Sequence, residues 1–142
     1  MIVQGCDFCA IGSGEAPATI FWEDEDNMAF FPLRPAVVGH TLIIPKSHFA
    51  DFFGLPESSL SSLMQAAAKV GRGIQRALSP DGMNVITSAG AAASQSVFHA
   101  HVHLVPRWAA DRFGDIWPPG EPCAGEVKSE VAELLRRELR FG

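Results

Sequence analysis

The stretch His99-Ala100-His101-Val102-His103, followed by Leu104-Val105-Pro106, decides the fold and the chemistry predicted for this chain. A β-strand sends alternate side chains to the same face, so the stretch predicts a strand with three histidines on one face and apolar residues on the other. Packing alone does not account for three adjacent imidazoles, because each buried ring nitrogen needs a polar partner. Histidine holds protons and nucleophilic lone pairs near neutral pH, and the strand therefore indicates a reactive site.

A metal ion could use the same pattern. In a strand, the Cα atoms of neighbouring same-face residues lie ~6.6 Å apart, so two adjacent imidazoles can converge on one ion. The outer histidines, His99 and His103, lie ~13 Å apart on the same basis. These two side chains can therefore serve two different centres.

The composition of the chain predicts one soluble, globular domain. The 142 residues are 47% hydrophobic and 19% charged, with a net charge of −5 and no cluster of lysine or arginine. Binding to nucleic acid depends on neutralising phosphates, so we expect no nucleic-acid partner. No segment approaches the ~20 apolar residues of a membrane span, and the first residues lack a signal-peptide pattern. We therefore expect no membrane association and a cytoplasmic location.

The cysteines do not fit a disulfide framework, because the chain has three of them. Cys6 and Cys9 form a Cys-x-x-Cys pair, and Cys123 stands alone in a stretch rich in proline and glycine. In a reducing compartment such a pair indicates a metal or redox element. A thioredoxin-type role would place the pair between a strand and a helix, and no apolar strand precedes Cys6.

Hydrophobic periodicity predicts an α+β fold with a mainly antiparallel sheet of about five strands, one long helix and an extra C-terminal helix. Strands are expected at residues 19–22, 28–31, 41–45, 84–87 and 101–105, and helices at 56–78 and 126–139. Gly71 and Gly73 each cost ~1 kcal/mol relative to alanine inside the long helix, which predicts a close packing contact there. Between the last two strands, residues 88–96 form a loop of small side chains that could bring backbone N–H groups close to a phosphate.

Four motifs together resemble the histidine triad (HIT) superfamily, and most closely its small nucleotide-binding branch. They are Gln95 to Val105, Gly39 to His48, Cys6-Asp7-Phe8-Cys9 and Trp117-Pro118-Pro119-Gly120. The resemblance implies a HIT domain core over residues 1–107, with residues 108–142 as a C-terminal extension packed on the same domain. Similar proteins are homodimers that pair their sheets and long helices across a two-fold axis, so we expect a homodimer.

The resemblance also implies nucleotidyl transfer or hydrolysis at an α-phosphate. His101 would attack phosphorus through Nε2 and form a nucleotidyl-histidine intermediate that water then cleaves. A mostly neutral imidazole needs no strong base to act as a nucleophile. His103 and His40 would donate to phosphate oxygens, and Ser96 would help to protonate the leaving group. The remaining predicted phosphate-binding residues are Gln95, Ser88 and Ser94, together with Ser96 and His103.

In zinc-containing relatives, the first histidine of the triad joins two cysteines and the histidine that ends the Pro-Lys-x-His segment. The matching residues here are Cys6, Cys9, His48 and His99. Two thiolates and two imidazoles form a closed tetrahedral set, which is typical of a structural zinc site. We expect structural zinc and no organic cofactor.

The nucleoside pocket implied by the resemblance is apolar. Its expected residues are Phe8, Ile11, Phe30, Phe31 and Leu33, with Trp117 folding over the pocket from the loop at residues 108–125. Pro32 stands where most relatives carry an acidic residue for the ribose hydroxyls, and a proline can offer only its carbonyl there. Ser88 replaces an asparagine and Ser94 a glycine of the phosphate cradle, and both serines can still donate hydrogen bonds.

These motifs predict a nucleotide hydrolase or phosphoramidase with a small-molecule nucleotide as its substrate. Candidate substrates are nucleoside phosphoramidates, aminoacyl-adenylates and short dinucleoside polyphosphates. Two alternatives remain at the level of sequence. One is a nucleotide-binding or sensing dimer without catalysis, and the other is a metal-dependent hydrolase with an ion among His101, His103 and His40.

Overall fold

The computed structural model describes residues 1–140 and has the predicted α+β architecture. The five strands are β1 (Ile20–Glu23), β2 (Asn27–Phe30), β3 (Thr41–Pro45), β4 (Gly82–Ile86) and β5 (Val102–Arg107). The helices are α1 (Asp7–Gly12), α2 (Glu57–Leu78) and α3 (Gly125–Leu139), with short 3-10 turns at Phe52–Gly54 and Ala91–Ala93. Every predicted strand and both predicted helices are present. Sequence reasoning missed α1, because six residues are too few for a periodic pattern.

The sheet is antiparallel throughout and has the order β1-β2-β3-β5-β4. The last strand of the chain therefore lies inside the sheet, between β3 and β4. Leu42 of β3 is opposite His103, and Ile86 of β4 is opposite the same residue. This central position gives the histidine segment two neighbouring strands that hold it.

The two faces of the sheet bury different clusters. Ala100, Val102 and Leu104 join the core that packs against α2, together with Val70 and Ile74 of that helix. On the opposite face, a second cluster contains residues of α1, β2 and β3, which are Phe8, Met28, Phe30, Leu42 and Ile44. The alternation predicted for residues 99–104 holds, and the histidines share the face of the second cluster.

Strand β5 begins at Val102, one residue after the predicted start at His101, so the first three residues of the histidine segment lie outside the sheet ladder. Before Val102 the backbone leaves the ladder and finds other partners. The Ala100 N–H donates to the Phe49 carbonyl at 2.6 Å, and Thr87 Oγ1 donates to the His101 carbonyl at 2.8 Å.

The glycines of α2 have different surroundings. Gly71 is buried, and a Cβ there would lie 3.9 Å from Leu104 Cδ1 and from Met83 Cε, in agreement with the predicted packing contact. Gly73 has no atom within 4 Å of such a Cβ, so the contact predicted for it is wrong. Gly73 lies instead on an open groove along α2.

The C-terminal extension begins with residues held by hydrogen bonds to Arg107 and ends in helix α3. Arg107 donates to both carboxylate oxygens of Asp111, at 2.8 and 3.1 Å, and to the Asn84 side chain at 2.8 Å. In contrast, no residue of α3 is buried. Within residues 1–140, none of the helices has the length and apolar character needed to cross a membrane.

Candidate active site and metal centre

His101 has a fixed tautomer. Its Nδ1 lies 2.6 Å from the backbone carbonyl of His99, and a carbonyl can only accept, so Nδ1 carries the proton and donates it. In the neutral ring, Nε2 is then left with a free lone pair. The edge of Phe8 packs against the ring at a centroid distance of 5.2 Å and limits its rotation. The arrangement fixes the ring with its Nε2 lone pair free.

His103 receives a hydrogen bond from His40, and the direction of that bond can be deduced from the backbone. The Ala36 N–H donates to His40 Nδ1 at 3.0 Å, so the proton of a neutral His40 ring is on Nε2. His40 Nε2 lies 2.9 Å from His103 Nδ1 and donates to it. The proton of His103 must therefore be on Nε2, where it is available to an anion beside His101. The ring centroids of His101 and His103 are 4.9 Å apart.

This chain of hydrogen bonds differs from the expectation for His40. Direct donation from His40 to a phosphate was expected, but both of its ring nitrogens already have partners within the protein. The geometry favours an indirect role, in which His40 sets the tautomer of His103.

Burial keeps the imidazole rings of His40, His101 and His103 neutral. Desolvation lowers the pKa of His40 and of His101 from the ordinary histidine value. It lowers the pKa of His103 to about 4, with a further contribution from the neighbouring rings of His101 and His40. Neutral rings at physiological pH give His101 a lone pair and His103 a neutral N–H donor.

A second cluster gathers the predicted metal ligands. One ligand atom from each of Cys6, Cys9, His48 and His99 lies within 4.8 Å of all the others. Cys6 and Cys9 bracket the first turn of α1, His48 follows β3, and His99 precedes β5. The part of the chain that the structure describes contains no other such group. These four residues form a possible metal site.

The distances within this cluster fit a tetrahedral ion. Nδ1 of His99 lies 3.5 Å from Cys6 Sγ and 3.6 Å from Cys9 Sγ, and Nδ1 of His48 lies 3.5 Å from Cys9 Sγ. Tetrahedral zinc with its usual bond lengths to sulfur and nitrogen places such atoms ~3.6 Å apart. His99 Nε2 donates to the Pro45 carbonyl at 2.8 Å, so its Nδ1 lone pair faces the thiols. The donor set and its geometry both suit zinc.

His99 connects the two clusters. Its ring belongs to the possible metal site, and its carbonyl accepts the hydrogen bond that orients His101. Phe8 touches both rings, with centroid distances of 5.9 Å to His99 and 5.2 Å to His101.

Gln95 is buried and holds the loop rather than facing solvent. Its Oε1 accepts from the Gly90 N–H at 2.8 Å, and its Nε2 donates to the carbonyls of Ala50 and Val97 at 2.7 and 3.1 Å. Both amide protons are thereby used, so the side chain has no donor left for the phosphate contact that was expected of it. The loop that Gln95 fixes carries the remaining phosphate candidates.

Three predicted serines lie on or beside that loop. Ser96 is exposed and lines a cavity of about 380 Å³ together with Cys6, Asp7 and His48. Ser94 is exposed and has a left-handed backbone with φ of 69°, a conformation that glycine adopts without strain. Ser88 is partly buried and follows Thr87, which holds the His101 carbonyl.

The predicted nucleoside residues fall into two groups. Phe8, Ile11 and Phe30 come together in the cluster beside the histidines. Phe31 points away and stacks on Phe21 at 4.8 Å, because successive side chains of an extended chain alternate between the faces of a sheet. Leu33 is 96% exposed and Trp117 is 83% exposed, so neither covers the pocket of its own chain.

Sequence reasoning missed two backbone partners and one side chain that define the site. They are the Ala36 N–H, the Pro45 carbonyl and the Thr87 hydroxyl. A backbone group has no signal of its own in a sequence, so only the positions of these residues within the motifs could have indicated them.

The sequence profile of the HIT domain matches residues 13–110, which are most of the chain. The chain belongs to the HIT family. A crystal structure from Streptococcus mutans superposes on this HIT protein with a TM-score of 0.90 and 37% identity, over 96% of this chain and 87% of that one. A zinc-bound histidine triad family protein from Mycobacterium smegmatis gives a TM-score of 0.74 and 34% identity, over 94% and 98%. A HIT family hydrolase from Clostridium thermocellum gives 0.66 and 34%, over 84% and 99%.

Proposed function

We propose that this HIT protein is a nucleotide hydrolase or nucleoside phosphoramidase that cleaves at an α-phosphate through a covalent intermediate on His101. The observation that carries the proposal is the 2.6 Å hydrogen bond from His101 Nδ1 to the His99 carbonyl, which leaves Nε2 as an oriented, uncharged nucleophile. The HIT family hydrolase among the solved relatives supports the same reaction class.

The reaction proceeds in two displacements. In the first, the His101 Nε2 lone pair forms a bond to phosphorus, and the bond from phosphorus to the leaving nitrogen or oxygen breaks. The leaving group departs with that electron pair and takes a proton delivered through Ser96. In the second, water attacks phosphorus and gives up a proton that restores the Ser96 hydroxyl. The bond from phosphorus to Nε2 breaks with its electron pair returning to Nε2, and the nucleoside monophosphate leaves as neutral His101 is regenerated. His103 Nε2–H donates to the phosphate oxygens in both steps.

The Cys6, Cys9, His48 and His99 cluster would hold structural zinc. Bound there, zinc would supply a cross-link between α1, the end of β3 and the segment before β5, and no open coordination position for substrate. This site thereby fixes the backbone carbonyl on which His101 depends.

The assembly is proposed to be a homodimer that adds one sheet to another. Strand β4 is at the edge of the sheet, and its Val85 is 57% exposed. An edge strand with an exposed aliphatic residue is a ready surface for pairing with a second copy.

The test is intact-mass spectrometry after a short, acid-free reaction with adenosine phosphoramidate or an aminoacyl-adenylate, comparing wild type with His101→Ala. We expect nucleotide release and an adduct of nucleotidyl mass in the wild type, and neither in the variant. Binding without turnover or adduct in the wild type would favour a nucleotide-sensing protein. An adduct that persists in His101→Ala would place the nucleophile elsewhere.

A further inference from the structure

Helix α3 presents an apolar face that nothing covers in the single chain. Five aliphatic residues at helical spacing are 46–76% exposed, namely Val127, Val131, Leu134, Leu135 and Leu139. An isolated helix of 15 residues is marginal in water, and contiguous exposed apolar patches mark interaction sites. The helix therefore needs a surface to pack against.

The domain has an open apolar groove along the C-terminal half of α2. It has a volume of about 550 Å³ and is bounded by Phe21, Trp22 and Phe31 on one side and by Val70, Gly73, Ile74, Ala77 and Leu78 on the other. A Cβ added at Gly73 would meet no atom within 4 Å, so the floor of the groove is free at this point. The groove can accept aliphatic side chains of a second helix.

The charges beside the two surfaces are opposite and share a spacing. Lys69, Arg72 and Arg76 follow one edge of α2, and none of them forms an ion pair within residues 1–140. Glu126, Glu130 and Glu133 flank the apolar face of α3. Along the sequence, the basic residues of α2 are separated by three and then four residues, and the glutamates of α3 by four and then three. The two rows of charge therefore match when the helices run antiparallel. Each row then spans ~10 Å.

We propose that α3 of one copy docks antiparallel into the α2 groove of a second copy, with Glu126 opposite Arg76 and Glu133 opposite Lys69. The aliphatic face of α3 fills the groove, and the rows of opposite charge set its orientation. This contact is separate from the β4 edge, and it does not depend on the proposed reaction.

Cysteine cross-linking between two differently tagged chains tests the contact. One chain carries Cys123→Ser and Val131→Cys, the other carries Cys123→Ser and Gly73→Cys, and the two are co-expressed and then oxidised. We expect a disulfide between the two tags. Co-expressed Cys123→Ser chains with both tags and no new cysteine are the control for Cys6 and Cys9. Absence of the mixed disulfide would overturn the proposal.

Charge reversal tests the orientation. Arg76→Glu is expected to slow mixed-disulfide formation about fivefold, and Glu126→Arg in the other chain should restore the rate. Glu133→Arg is the matched control, because it faces Lys69 in the antiparallel arrangement. Restoration by Glu133→Arg in place of Glu126→Arg would overturn the antiparallel arrangement.

Discussion

The two ends of the histidine segment differ in the nitrogen that each ring presents. At one end, His99 donates through Nε2 to the Pro45 carbonyl and offers Nδ1 to a pair of thiols. At the other end, His103 accepts at Nδ1 from His40 and offers Nε2–H. His101, between them, donates through Nδ1 to a carbonyl and keeps a lone pair on Nε2. The same side chain thus becomes a ligand, a nucleophile or a donor according to one hydrogen-bond partner.

The largest effect is expected at the central ring. His101→Ala removes the only nitrogen that we propose to bond to phosphorus, so kcat/KM for adenosine phosphoramidate should fall at least about 10⁴-fold. The measurement is product release by steady-state kinetics, with Tm as a check that the variant folds. A fall of less than about tenfold would show that the central ring is not the nucleophile.

The next effect concerns the His99 end of the histidine segment, which belongs to the possible metal site. Cys9→Ser removes a buried thiol from the possible zinc site, and zinc present at a thousandfold above its Kd would otherwise contribute about 4 kcal/mol. For a domain of this size, that loss lowers Tm by about 12 °C. Zinc content by elemental analysis and Tm by circular dichroism are the measurements.

Cys123→Ser is the matched control for the metal end, because Cys123 is exposed and outside the cluster. It should leave zinc content and Tm unchanged. Equal zinc content in Cys9→Ser and wild type would remove Cys9 from the site.

A smaller effect is expected from His40, which we propose to act through His103. His40→Ala leaves His103 Nδ1 without its donor, so kcat should fall about 10- to 100-fold while KM changes less. ¹⁵N NMR of His103 should show the Nε2–H tautomer in the wild type and a mixture of tautomers in the variant. His40→Gln keeps one donor and one acceptor and should restore most of kcat. An unchanged His103 tautomer in His40→Ala would contradict the indirect role.

The fold could be predicted from the sequence wherever a period of two or of 3.6 residues extended far enough. Strand β3 at Thr41–Pro45 was predicted to the residue, and α2 to within one residue of its start. Short elements with no repeat of their own, such as α1, could not be predicted in this way. The start of β5 was predicted to within one residue, and the alternating residues before it are not paired, because β3 and β4 have no partners in the chain before Val102.

The site could be predicted as a set of residue types, and the structure brings the four proposed ligands together. The assignment of donors and acceptors could not be predicted, because it depends on backbone groups such as the Ala36 N–H and the Pro45 carbonyl. Gln95 and His40 were expected to contact phosphate, but their polar side-chain atoms already form hydrogen bonds within the protein. The sequence could not show these bonds, because they depend on how the chain folds. The separation of Phe31 from Phe30 follows from simple alternation once the ends of β2 are known.

The smallest effect concerns the pH dependence of stability that arises from His103, the end of the histidine segment that offers an N–H donor. The pKa of His103 is about 4 in the folded protein, below the ordinary value of 6.5, because the ring is buried beside two other imidazoles. Between these values the unfolded chain binds more protons at this residue than the folded chain does. The contribution to stability is therefore complete above pH 6.5 and is lost as the pH falls toward 4. Tm of the wild type, measured by circular dichroism, should fall between pH 6.5 and pH 5.

His103→Asn removes the titrating ring and keeps a polar side chain, so the Tm of the variant should fall less than that of the wild type over the same pH range. The two falls in Tm should differ by a few degrees, as expected for ~1 kcal/mol. Titrating groups that both proteins share contribute equally to the change of Tm with pH, so their contributions cancel when the two slopes are compared. Parallel slopes would mean that His103 is charged in the folded protein at pH 5. In that event the donor end would act as an imidazolium, and the contrast between the two ends of the segment would be one of charge as well as of tautomer.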